Sequence, residues 1–178
     1  MRDISYRVAL GGIVSALCLV TMFLAGILPA LYILLPIVAS MLLIFIASEV
    51  STGWAWLTYI AVGILSLFIT ADKEAALIFI MFGHYPILRI YLQKIKLKPL
   101  RLVCKLVAFN LSALAFFYTK VYIFGMDQMV KDFADFGKYG ALIVLGIVNV
   151  LFILLDYDID FLYNIYLKRI KPKFKKKQ

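Results

Sequence analysis

The chemistry-bearing side chains of this 178-residue chain are few and far apart. Its single histidine, His84, could bind a ligand or move a proton, and Asp72 and Asp156 are carboxylates that could be paired with it in an enzyme acting on lipids. Asp156 and Asp160 lie four residues apart, the spacing that puts two carboxylates on one helix face. They could hold a metal or act as acid and base, but they also repel one another, and a solvated face explains them as well. One histidine excludes HExxH and multi-histidine metal centres, and no P-loop or GxSxG is present, so the sequence offers no catalytic residues, metal site or cofactor motif. Cys18 and Cys104 lack CxxC or Cys/His spacing and read as small core hydrophobes.

The elements that must carry these residues are apolar. The chain is 65% hydrophobic and 16% charged, with a mean hydropathy of +0.98, more apolar surface than one soluble core can hide. A membrane-crossing helix needs about 20 apolar residues. Six segments meet or approach this, at residues 8–28, 31–48, 54–71, 75–93, 102–124 and 140–166. The expected fold is therefore all-α, a polytopic bundle of six transmembrane helices. Residues 1–178 form a single transmembrane domain that ends in a basic tail over 167–178. On this reading the enzyme pairing fails on depth, since His84 falls mid-membrane while Asp72 and Asp156 fall near opposite surfaces.

Basic charge orients the bundle. Of nineteen Lys and Arg residues, fifteen fall at the N-terminus, between 89 and 105, or in the C-terminal tail. In a six-helix layout all three clusters face the same side, so both termini are expected to be cytoplasmic. The opposite side receives Pro29-Ala30, the Asp72–Glu74 turn and the 125–140 connection. The net charge of +9 is thus assigned to topology and anionic lipid, with no nucleic acid as partner. Trp54 and Trp56 are expected at the cytoplasmic start of the third helix.

Several polar groups sit where burial is costly. Phe82-Gly83-His84-Tyr85-Pro86 interrupts the fourth apolar segment, and because Pro86 lacks an N–H for the Phe82 carbonyl, the helix is expected to kink or break there. His84 then either bonds to a neighbouring helix or contacts a ligand. Asn110 and Asn149 share its estimated depth, so the layer is either interhelical glue or a polar cavity. Asp72-Lys73-Glu74 reads either as a solvated turn with Asp72 capping the fourth helix or as an outward ligand contact. Lys120, Tyr32, Tyr118, Tyr122 and Tyr139 lie toward the same side, the tyrosines equally suited to an aromatic belt. On the first helix, Gly11 with Ser15 and Gly12 with Ala16 form two small-xxx-small pairs that let another helix approach closely, from this chain or another protein. Beyond the last span, Leu155, Ile159, Leu162, Tyr166 and Ile170 form the apolar face of an amphipathic extension, opposite Asp156, Asp160, Asn164 and Lys168.

The stretch Arg7-Val8-Ala9-Leu10-Gly11-Gly12-Ile13-Val14-Ser15-Ala16, the six-helix layout and the cytoplasmic termini together resemble the substrate-binding S components of energy-coupling factor (ECF) transporters. The resemblance implies a non-catalytic binding subunit for vitamin-like uptake across the bacterial cytoplasmic membrane. Partners would be a small-molecule ligand, membrane lipid, a T component and ATPase subunits. Gly12 and Ala16 would fill the family's AxxxA-like face toward the T component, with glycine at the first position, and Gly11 and Ser15 lie beside them. Candidate ligand residues on this view are Asp72, Lys73, His84, Tyr85, Asn110, Lys120, Tyr139 and Asn149. The alternative is an accessory or assembly subunit without a small-molecule site.

Overall fold

A computed structural model of the chain describes residues 4–123, 139–166 and 168. Among these no strand occurs, and seven α-helices are formed: α1 (Ile4–Ile27), α2 (Leu34–Glu49), α3 (Thr52–Ile69), α4 (Lys73–Phe82), α5 (Tyr85–Leu92), α6 (Lys98–Tyr118) and α7 (Gly140–Ile165). A 3₁₀ turn, Pro29–Leu31, precedes α2, and a π-helical turn, Thr119–Ile123, follows α6. The chain groups into two units, Met1–Phe116 and Phe117–Gln178.

Among the described residues, five stretches are long and apolar enough to cross a membrane: Ile4–Ile27, Thr52–Ile69, Lys73–Leu92, Lys98–Tyr122 and Leu142–Ile165. The second expected span is shorter. As a helix α2 has 16 residues, which at 1.5 Å per residue gives about 24 Å, less than the hydrocarbon thickness of about 30 Å. Of that apolar segment, Leu31 falls in the 3₁₀ turn and Tyr32 and Ile33 in the turn that follows it.

In the first unit the helices meet along stripes spaced by three and four residues. Gly11, Val14, Cys18, Met22 and Ala25 are the buried residues of α1, and Ala55, Thr58, Val62, Gly63 and Ser66 those of α3. α1 packs along α2 and α3, and α2 also meets α4 and α5. Cys18, Met22, Leu43, Ile46, Val62, Phe79 and Ile87 form the centre of this core. The Cys18 thiol donates to the Ala39 carbonyl at 3.3 Å, so it serves the α1–α2 seam. Hydroxyls that would be costly in an apolar helix bond back to their own backbone, Thr21 to Leu17 and Ser66 to Gly63.

Helix ends are set by local chemistry. Ser51 caps α3 by accepting from the Trp54 amide at 3.4 Å, and Asp72 caps α4 by accepting from the Glu74 amide at 2.8 Å. Lys73 closes the other side of this turn, its Nζ donating to the carbonyls of Leu67 and Thr70 at 2.7 and 3.0 Å, the last turn of α3. The backbone of this turn lies so close to α1 that a Cβ at Gly26 would come within 2.8 Å of the Ala71 nitrogen.

In the second unit, the buried apolar side chains described in α7 and the turn after it are Phe152, Ile159 and Tyr166, seven residues apart. Ile159 and Tyr166 belong to the expected apolar face, and Asn164 and Lys168 of the expected polar face are exposed; Leu162, Asp156 and Asp160 depart from the pattern. Leu162 is 48% exposed, while Asp156 and Asp160 are half-buried. At about 100° per residue, Phe152, Ile159 and Tyr166 form a narrow stripe, with Asp156 about 40° to one side of it and Leu162 about 40° to the other. Ile170 and the charged residues of the 125–138 connection lie outside the described residues.

Candidate functional site

The interruption of the fourth apolar segment is a two-residue joint, Gly83-His84, between α4 and α5. Pro86 occupies the first turn of α5, where a missing N–H costs nothing. The His84 carbonyl accepts from the amides of Ile87 and Leu88 at 3.2 and 3.0 Å, which restarts the helix. A Cβ on Gly83 would press on the Phe79 ring at 3.3 Å, so the joint needs its glycine for space.

The joint is walled by aromatic residues of α3. The His84 ring stacks on Trp56 at a centroid distance of 6.4 Å and an interplanar angle of 20°, and meets Tyr59 edge-on at 6.3 Å. It also hydrogen-bonds to the Met81 backbone. Tyr59 donates its hydroxyl to the Ile80 carbonyl, in the last turn of α4. On the other flank Phe82 contacts Phe109 and Phe116 of α6 at 5.5 and 5.9 Å. Trp56 and Tyr59 were missed as candidates. Their spacing of three, which puts both rings on one face of α3, was the available signal.

The ligand residues expected in this unit do not converge. Asp72 and Lys73 stand at one end of α4 and His84 and Tyr85 at the other, separated by a ten-residue helix of about 15 Å. Tyr85 is buried at 5% exposure. Asn110 is half-buried on α6 and donates its Nδ2 to the Leu106 carbonyl at 2.8 Å. It is the polar residue in a shallow hollow of about 280 Å³ otherwise lined by Val103, Leu106, Val107, Leu111 and Leu114, all on α6.

The remaining candidates belong to the second unit. Lys120 lies in the π-helical turn, near the stacked rings of Tyr118 and Tyr122 at 5.7 Å. Tyr139 precedes α7 and is 63% exposed, and Asn149 donates to the Leu145 carbonyl at 2.8 Å. Ten residues of helix, about 15 Å, separate those two. Among the described residues, no three His, Cys, Asp or Glu side chains group as metal ligands.

The small-residue pairs of α1 divide between two faces. Gly11 is buried, and a Cβ there would meet the Trp54 ring at 3.9 Å. A Cβ at Gly12 would meet nothing within 4 Å. Ala9, Gly12 and Ala16 are all exposed, and Ser15 is half-buried between the two faces. The first pair therefore serves α1–α3 packing, and the second lies open. No protein-family model, curated protein or solved structure matches this chain.

Proposed function

We propose that this chain is a substrate-binding membrane subunit of the ECF S-component type, which captures a vitamin-like small molecule for uptake across the bacterial cytoplasmic membrane. Its six apolar segments form the bundle, with α4 and α5 sharing one segment and both termini cytoplasmic. A separate T component and ATPases supply the energy. The observation carrying this reading is the open Gly12–Ala16 face of α1, where lack of side-chain bulk lets a partner helix approach closely. The basic clusters support the orientation, since they flank the apolar segments on a single side of that layout.

Detergent-purified protein should show a small-molecule adduct by native mass spectrometry, gain thermal stability from one member of a vitamin panel, and retain a T component and ATPases on pull-down. Gly12→Leu with Ala16→Leu should abolish the association and leave the fold intact, because neither site is buried. A clean apo mass, no stabilisation and no partner would reject the uptake reading.

A specific observation favours a second reading, an assembly subunit without a ligand. Asp72 and Lys73 cap helix ends, and His84 is packed on Trp56 and Tyr59, so these polar groups already have structural work. His84→Leu separates the two, since it should lower ligand affinity only if the joint binds cargo.

A further inference from the structure

The turn between α5 and α6 carries basic side chains and no acidic ones. From residue 75 to residue 126 the sequence has no Asp or Glu, yet carries Arg89, Lys94, Lys96, Lys98, Arg101, Lys105 and Lys120. The elements packed against α5, α2 and α3, hold a single carboxylate, Glu49. The turn itself therefore carries charge of one sign.

The turn is also well built. Gln93, Lys94 and Ile95 donate their amides to Arg89, Tyr91 and Leu92 at 2.9, 3.1 and 3.1 Å, and Arg101 donates to Leu97 at 3.0 Å. Tyr91 anchors it to α3, its hydroxyl donating to Thr52 Oγ1 at 2.8 Å, and Lys94 Nζ lies 5.3 Å from the Tyr91 ring centroid. Lys94, Lys96 and Lys98 are all exposed on this frame. Between and beside them, Leu97 is 64% exposed and Leu100 48%.

We infer that the Lys94–Leu100 turn is a binding site for anionic phospholipid, with Lys94, Lys96 and Lys98 on the headgroup phosphates and Leu97 and Leu100 entering the acyl boundary. The leucines decide between a bilayer and a soluble anion: free phosphate gains nothing from exposed apolar side chains, whereas a lipid interface takes up both kinds of group. Flanking helices long enough to cross a membrane bring the turn to that interface. The inference is independent of what the subunit transports.

The test uses the full chain in a neutral detergent, titrated with phosphatidylglycerol and with phosphatidylcholine and read by native mass spectrometry. The wild type should retain phosphatidylglycerol preferentially. Lys94→Gln, Lys96→Gln and Lys98→Gln together should weaken that retention at least about tenfold, since each basic residue near an anionic surface contributes about fivefold. The corresponding triple Arg variant should bind as the wild type does, with unchanged helicity in all three proteins. Neutralising the tail at Lys173, Lys175, Lys176 and Lys177 should leave most of the preference in place. Equal retention of both lipids by the wild type, an unaffected Gln variant, or loss of preference only in the tail variant would overturn the assignment. Displacement of the lipid by millimolar inorganic phosphate would overturn the bilayer as its source.

Discussion

Lys73–Leu92 and Lys98–Tyr122 are neighbouring apolar stretches of 20 and 25 residues with nearly the same hydropathy, yet of the most apolar 18 residues in each, 56% are buried in the first and only 6% in the second. In water such a difference would show as composition, because an exposed face must be polar. In a bilayer, lipid is as apolar as a protein core, and the two stretches can be equally greasy whether they face helices or lipid. What distinguishes them is residue size and contact. α4 carries Ala75 and Ala76 fully buried beside Phe79, whereas α6 exposes Val103, Val107, Leu111 and Leu114.

The sharpest way to break this comparison is a matched pair of truncations. Phe79→Ala should destabilise the protein by about 3–5 kcal/mol, the cost of an emptied aromatic site, while Leu111→Ala should stay within about 0.5 kcal/mol. Reversible unfolding in mixed micelles measures both, and equal losses would mean that α6 is as closely packed as α4. Next in size is Gly26→Ala, whose added carbon meets the Ala71 backbone, which cannot step aside as a flexible side chain would. It should cost about 1–3 kcal/mol, read as a lowered midpoint in the same assay. The smallest effect belongs to the cap. Asp72→Ala should lose about 1 kcal/mol and Asp72→Asn much less, because asparagine also accepts from the Glu74 amide. A larger loss in the Asn variant would show that the charge, and hence something beyond capping, matters at that turn.

Helix content, the break before Pro86 and the Asp72 cap were legible because each rests on local chemistry: apolar runs, a missing N–H and a short acceptor side chain. The approximate ends of most helices followed from the same signals. Two things were not legible, for one reason. The division of Gly11 and Gly12 between faces and the pairing of His84 with Trp56 and Tyr59 both depend on helix rotation. A step of one residue turns a helix by about 100°, and in a chain this apolar no polar stripe marks which side faces outward. Within the first unit Asp72 and Lys73 stand a helix length from His84 and Tyr85, because the two pairs occupy opposite ends of α4. Lys73 adds a further lesson, because a charged residue in a turn can be spent on the backbone carbonyls of the helix before it.

The placement of the two tryptophans makes the protein its own optical gauge. Trp54 lies on the α1 seam beside Gly11, and Trp56 lies on the imidazole at the α4–α5 joint. With no other indole in the chain, all of its tryptophan emission originates in the first turn and a half of α3. Unlabelled protein can therefore report loosening of α1 or movement of the joint by emission colour and intensity.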